Sequence, residues 1–449
     1  MVTKLRHGWQ EMQASFWFVP TLMVVGAVAL AAALIALDTT NEPPLASEWP
    51  LIFGAGADGS RALLATVAGS MVTVTGVVFS MTIVALSLTS SQYTSRVLRN
   101  FMRDRRNQVV LGVFVGIFAY CLVVLRTIHG DKDEAFVPSL AVLGALVLAF
   151  VGIAHLIFFI HHISMSIQAS SIIAAAAEET ISAIETLFPE KLGDEDDEGP
   201  AASPDASDQG EWITISAQQT GYLQSVDTDA LLDWARETGS VIRLERMMGD
   251  FVVQGTHLGS ILQSGKHDSN ATNGLNGACV LSRLRTVEQD PTFGVRQIVD
   301  IALKALSPGV NDTTTAVICV DYLSAIFVSL SDRIFRPPHG VDDGVLRVIA
   351  RGPSFAELLA EGFDEVRQSA AGNVAVLTRQ LGALETLASA TSNAARRRAL
   401  SQHVELVLAT AEDSIPLPAD LEGIQLNAKR LLLTLRGDRS AGDEAPRQR

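Results

Sequence analysis

Apolar residues run together over most of the first 160 positions and are broken up by polar ones almost everywhere after that. Four runs, at 16–37, 62–88, 109–125 and 137–160, approach the roughly 20 residues with which a helix crosses about 30 Å of hydrocarbon. Each is predicted to span a bilayer. The first is preceded by Lys4 and Arg6, as a secretion signal would be. Its apolar core exceeds the roughly 7–15 residues of such a signal, so it reads as an anchor. The connections differ in charge. "SRVLRNFMRDRRN" carries Arg96, Arg99, Arg103, Arg105 and Arg106 against Asp104. The connection before it carries Asp38, Glu42, Glu48 and Asp58 against Arg61, and the one after it Asp131, Asp133 and Glu134 against Lys132. Basic residues beside a span stay cytoplasmic. The expected topology places the N-terminus, the 92–107 loop and everything after 161 on the cytoplasmic side of a bacterial inner membrane. The five arginines also offer a basic surface to anionic lipid.

Beyond the fourth run the pattern stays helical through 165–188 but turns polar, which predicts that the fourth span continues into the cytoplasm until Pro189 stops it. Residues 189–210 are rich in Gly, Pro, Ser and acid and are expected to form a flexible linker. Residues 211–282 read as a small β-rich module with a helix at "TDALLDWARETG". Within it, Gly221-Tyr222-Leu223 and the stretch from Gly249 to Gly255 resemble the half-barrel repeats of biotinyl/lipoyl-like domains, in which such glycines make tight turns with positive φ. No lysine lies between Lys191 and Lys266, so a swinging arm is excluded and docking or assembly remains.

Residues 283–436 return to helical spacing. Asp290-Pro291 suits a helix start, and Arg296, Asp300 and Lys304 then line one face. Ser307-Pro308-Gly309 breaks that helix, and Asn311 or Asp312 caps the next, at 313–330. This helix is apolar enough to be taken for a fifth span. Asp321 would then sit at mid-bilayer, at a cost of about 3 kcal/mol, and the basic "SDRIFR" and "ARRRAL" would be exported against the positive-inside rule. A buried cytoplasmic core helix is expected instead. A capping box, Ser354 to Glu357, opens another helix, and three more are expected at 374–390, 393–411 and 418–436. Residues 437–449 form a tail without core residues. The predicted fold class is an α-helical polytopic membrane protein with four transmembrane helices (1–164, extended by 165–188). Its cytoplasmic α+β region is the β-module at 211–282 followed by a helical domain at 283–436.

Composition sharpens this picture. Of 449 residues, 48% are hydrophobic and 18% charged, and the formal net charge is −15. Phosphate binding needs a basic face, so a nucleic-acid partner is not expected. Cys121, Cys279 and Cys319 have no metal-ligand or disulfide spacing and read as small buried hydrophobes. No P-loop, dinucleotide fingerprint, HExxH or nucleophile elbow occurs, so neither an enzyme nor a cofactor is expected.

Three groups of residues carry candidate chemistry. In the second span, Thr66, Ser70, Thr73, Ser80, Ser87 and Ser91 share one helical face, edged by Gly69 and Gly76, while Thr75, Thr82 and Thr89 recur on the other. Such stripes either pack helices closely or line a polar path shared by several subunits. His155 and His162 share a face at the cytoplasmic end of the fourth span. They read as interfacial anchors or, more weakly, as metal or pH-sensing groups. Finally, Arg283, Arg285 and Arg296 lie in sequence near Asp290, Asn311, Asp312 and Asp321. They form either an anion site beside a helix N-terminus or a structural ion-pair network.

Two long stretches, 79–127 ("FSMTIVALSLTSSQYTSRVLRN…") and 285–323 ("RTVEQDPTFGVRQIVDIALKALSPGVNDTTTAVICVDYL"), resemble a bacterial family of integral membrane proteins, the domain of unknown function 2254 family. The resemblance extends over nearly the whole chain. Where relatives often carry proline, before the arginine at 96 and after Asn311-Asp312, this chain has Ser95 and Thr313. The resemblance implies a polytopic membrane protein and brings no activity with it. The functional expectation is an oligomeric channel or transport-like protein with the second span at its centre, contacting lipid and regulated by its cytoplasmic domain. The alternative is a membrane-anchored scaffold or sensor that binds a partner or an anionic ligand through that domain.

Overall fold

The computed structural model describes residues 17–40, 56–92, 105–129, 136–188, 212–262, 271–334, 340–342 and 345–437. The linker at 189–210, the tail after Gly437 and the basic-loop residues Arg96, Arg99 and Arg103 lie outside them. The chain divides into two units, 1–171 and 172–449.

The first unit holds α1 (Phe18–Thr40), α2 (Ala57–Gln92), α3 (Arg105–Thr127) and α4 (Ser139–Ser166). α3 is the hub and packs against the other three. Its Gly112 and Gly116, one turn apart, let α1 approach closely: a Cβ at Gly112 would stand 2.5 Å from Met23 Sδ and 3.1 Å from Pro20 Cα. Small residues four apart are the usual means of close helix packing in lipid, where burial of apolar surface gives no driving force. Three side chains tie the helices together through hydrogen bonds. Asp38, near the end of α1, accepts from the N–H groups of Leu140 (3.0 Å) and Ala141 (3.2 Å) in the first turn of α4. Arg61 Nη2 donates to the Ile128 carbonyl just past α3 (2.8 Å), and Tyr120 Oη to the Ala141 carbonyl (2.8 Å). The Asp38 and Arg61 bonds place charge where the helix dipole favours it, on terminal backbone groups that have no partner within their own helix.

α4 does not run on into the next helix. It ends at Ser166, and α5 (Ala169–Leu187) starts after a two-residue break. Ser164 and Ser166 turn their hydroxyls back onto the Ile160 (2.7 Å) and Ile163 (3.1 Å) carbonyls. Where a continuous extension of the fourth span was expected, there are two helices.

The second unit combines two sheets with a helical bundle. The strands are β1 (Trp212–Ser216), β2 (Gly221–Val226), β3 (Val241–Leu244), β4 (Phe251–Val252), β5 (His257–Leu262), β6 (Cys279–Ser282), β7 (Gly340–Asp342) and β8 (Val345–Ile349). They form a five-stranded sheet, β1-β5-β3-β8-β7, and a three-stranded sheet, β4-β2-β6. Pairing is antiparallel except between β3 and β8. Two helices, α6 (Thr228–Thr238) and α7 (Ala271–Ala278), cover the five-stranded sheet. That sheet thus draws on residues 340–349, well beyond the β-rich stretch at 211–282. Gly249 and Gly255 do take positive φ, +87° and +84°. Gly221 serves differently, since a Cβ there would meet the Ser282 backbone at 2.7 Å.

The bundle consists of α8 (Pro291–Leu306), α9 (Thr313–Leu330), α10 (Phe355–Ser369), α11 (Val374–Ala390), α12 (Ala394–Ser414) and α13 (Pro418–Arg436). α9 packs against α8, α10 and α11 and buries Ala316, Cys319, Val320, Leu323, Ile326, Phe327 and Leu330. Each large apolar side chain so buried contributes about 1.5–3 kcal/mol. Among the described residues five helices, α1 to α4 and α9, are long and apolar enough to cross a membrane by length and composition. α5 docks on the start of α8, where the Gly294 Cα lies against Thr180 and where Ala183, Val287 and Phe293 cluster.

Candidate functional site

The hydroxyl stripe of α2 faces outward. Thr66, Ser70, Thr73, Ser80 and Ser87 are all exposed on the protomer, and a Cβ added at Gly69 or Gly76 would meet nothing within 4 Å. Leu64, Ala68, Met71, Val78 and Ala85 point inward, together with Thr82, which is buried and donates its hydroxyl to the Val78 carbonyl (2.8 Å). The two stripes are therefore unequal: Thr82 belongs to the core and the Thr66–Ser87 series does not. Thr66, Ser70 and Thr73 donate to the carbonyls of Ala62, Thr66 and Gly69, at 2.7, 2.8 and 3.0 Å. These three hydroxyl protons are thus used within the helix, so along Thr66–Thr73 the face offers outward oxygen lone pairs and small residues.

The seven Arg, Asp and Asn candidates of the second unit fall into separate places. Arg285 and Asp290 meet where the chain enters α8. Arg285 reaches Asp290 Oδ2 with Nε (2.8 Å) and Nη2 (2.7 Å), and Nη2 also reaches Thr292 Oγ1 (2.6 Å). Asp290 is buried; burial raises its pKa, opposed by the Arg285 charge and by hydrogen bonds from Thr292, Arg285 and the Phe293 N–H. Gly249, at φ +87°, lays its backbone against this pair: a Cβ there would stand 2.4 Å from Asp290 Oδ2. Arg296 sits one turn into α8 and binds Asp300 Oδ1 (2.8 Å), Glu365 Oε2 (3.0 Å) and Glu361 Oε1 (3.4 Å), so it ties α8 to α10. Hydrogen bonding to Arg296 holds the Glu365 carboxyl below its usual range. Asn311 and Asp312 lie past the far end of α8, on the order of 24 Å from Asp290 at 1.5 Å rise per residue. Asn311 takes the left-handed φ of +49°. Asp312 caps α9 by accepting from Thr315 N (3.0 Å) and Oγ1 (2.6 Å), which lowers its pKa. Asp321 pairs with Arg379 of α11, and with none of the three arginines near it in sequence. Arg283 is exposed and makes no ion pair with any described residue.

His155 Nδ1 donates to the Val151 carbonyl (2.9 Å), while His162 stacks on Phe158 with 5.8 Å between ring centres. Among the described residues no three His, Cys, Asp or Glu side chains converge as metal ligands. The three cysteines are free and buried, and burial pushes the Cys279 thiol up to about 12. Of the basic loop, Arg105 and Arg106 are described, exposed at the start of α3.

Several residues that do structural work were not singled out by sequence reasoning. Arg396 is buried and donates to the carbonyls of Leu330 (2.9 Å), the last residue of α9, and of Arg333 (2.5 Å) just past it, with its guanidinium 5.1 Å from the Phe355 ring. Arg397 does the same at the ends of α11 and α13, through the Ala388 (3.2 Å) and Leu435 (3.3 Å) carbonyls. These are long-range contacts without a local signal. The Gly112/Gly116 spacing, by contrast, is legible as "GVFVG".

Residues 13–386 match the family described as "Predicted membrane protein (DUF2254)". Uncharacterised proteins of Mycobacterium tuberculosis and Mycobacterium bovis are 34% identical over 409 residues, covering 89% of this chain and 77% of theirs. No solved structure matches. The match takes in all four apolar helices of the first unit and extends through α10 into α11. The chain belongs to the DUF2254 family of predicted membrane proteins.

Proposed function

We propose that the protein is an oligomeric, transport-like protein of the bacterial inner membrane, in which the α2 faces of several copies surround a shared polar path. α1 to α4 are its four spans. The second unit, with α9 as a buried core helix, is its cytoplasmic regulatory domain. The observation that carries the reading is the outward, uncovered Thr66–Ser87 face, since a hydroxyl and glycine stripe turned to lipid alone gains nothing over leucine or valine. Gly112 and Gly116 are filled by α1 within the protomer, whereas Gly69 and Gly76 have open space, as a subunit contact requires. Because the hydroxyl protons of Thr66, Ser70 and Thr73 are already used, that stretch of the path presents acceptor oxygens, which favour cations.

Ser80→Cys should crosslink between copies in native membranes under mild oxidation, and Val78→Cys, on the buried side, should not. Planar-bilayer recording of the purified protein should show cation-selective conductance that Ser80→Leu reduces at least tenfold. Absence of both the crosslink and any conductance would sink the proposal.

A further inference from the structure

α9, α11 and α13 leave a half-open cleft of about 390 Å³ between them, within the usual size range of small-molecule sites. Val317, Leu381 and Leu431 make its apolar wall, and Arg379 and Arg430 stand at its polar side with Asn427. Each arginine has a carboxylate partner and unspent donors. Arg379 uses Nε on Asp321, and Arg430 uses Nη2 on Glu385 Oε1 (3.1 Å). A guanidinium carries five N–H donors, and both side chains are more than half exposed. Asn427 and Thr378, also in the lining, make no side-chain hydrogen bond with any described residue. Glu385 in the lining and Asp321 beside it each give one oxygen to an arginine, and both guanidiniums keep further N–H donors for a ligand. Two half-exposed guanidiniums with spare donors suit an oxyanion, which such planar groups bind bidentately, and the opposite wall suits a hydrocarbon body.

We propose that this cleft binds a small amphiphile with an oxyanion head, phosphate or carboxylate, on a short apolar stem. Arg379 and Arg430 hold the head, and Val317, Leu381 and Leu431 hold the stem. The site stands apart from the proposed pore, since its occupancy is read without any flux. Gly382 supplies the means of blocking it. It lies on α11 in the cleft wall, its φ is not in the left-handed region, and a Cβ there meets nothing within 4 Å. A side chain at 382 therefore fills the cleft without displacing the helix.

The test is calorimetric titration of the full chain, in phosphatidylcholine nanodiscs, with hexyl phosphate. Saturable one-site binding is expected, weakened at least tenfold by Arg379→Ala and by Arg430→Ala. Gly382→Leu should abolish it while leaving the melting temperature unchanged or higher. Inorganic phosphate, which lacks the stem, should bind at least tenfold more weakly than hexyl phosphate. The proposal is overturned by absence of saturable binding, by equal affinity in Gly382→Leu, by hexyltrimethylammonium binding as tightly as hexyl phosphate, or by inorganic phosphate doing so. Repeating the titration in nanodiscs that contain phosphatidic acid separates the two sources of such a head. Competition assigns the site to a membrane lipid, and unchanged affinity assigns it to a soluble phosphate ester.

Discussion

Gly249 shows how one residue joins two parts of the second unit. Its φ of +87° favours glycine, and its backbone lies against the buried Arg285–Asp290 pair. An alanine would have to bear the left-handed conformation and displace a charged group at 2.4 Å. Gly249→Ala should therefore cost about 2–4 kcal/mol, measured as a lower midpoint in chemical denaturation; a change below about 0.5 kcal/mol would show that the pair can move aside. The positive φ was readable from the glycine pattern, but its contact was not. His403 is a second case. It is buried on α12, with Nδ1 3.6 Å from Asp364 Oδ1. Burial is the largest influence and lowers its pKa, Asp364 opposes this, and Arg367 adds to it. The unfolded ring takes up a proton as pH falls through about 6.5, while the folded ring resists. The unfolded state then binds more protons, so His403 makes the protein less stable as pH falls below that value. Denaturation at pH 7.5 and 5.5 should show this loss in the wild type and a smaller one in His403→Gln. Equal losses would rule out His403 as the source.

At the scale of elements, most of the helices were legible. The expected 374–390 and 418–436 are α11 and α13 as observed, and the Ser354–Glu357 capping box is formed, with Glu357 N 3.2 Å from Ser354 Oγ. Apolar periodicity, proline and capping residues act within a few residues of one another, so the sequence displays them. The α4/α5 break and the recruitment of β8 beside β3 were not legible, because Ile167-Gln168 carries no helix-breaking residue and the strand pairing spans about a hundred residues. Arg296 illustrates the middle ground. Its i,i+4 ladder with Asp300 was readable, whereas its bonds to Glu361 and Glu365 across to α10 needed the packed bundle. Arg296→Ala leaves the mostly buried Asp300 without this cation, and is expected to cost about 2 kcal/mol in a denaturation experiment. Rescue by Lys should be incomplete, since one ammonium cannot reach three carboxylates with a planar fork. Full rescue would argue that charge alone is needed.

For the molecule as a whole, the open element is α9, which by composition alone joins α1 to α4 as a candidate span. Val310 and Leu433, on either side of it in the chain, are both exposed, and the native cysteines are buried. With four spans and a cytoplasmic second unit, Val310→Cys and Leu433→Cys should both resist a membrane-impermeant maleimide in spheroplasts and react after lysis. Labelling of either one in intact spheroplasts would break that topology. The cleft and the α2 face belong to this scale as well, since each is made by what neighbouring helices leave uncovered.

The sequence by itself determined the apolar helices, the helix boundaries in the bundle and membership of the family, because hydropathy, caps and turns are local and additive along the chain. Tertiary structure alone decided which α2 hydroxyls are core and which face out. It also separated Arg285, Arg296 and Asp312 into three structural roles, and it paired Asp321 with Arg379. Those outcomes depend on which surfaces meet, and residues near in sequence can be carried a helix length apart while residues 58 apart come into contact.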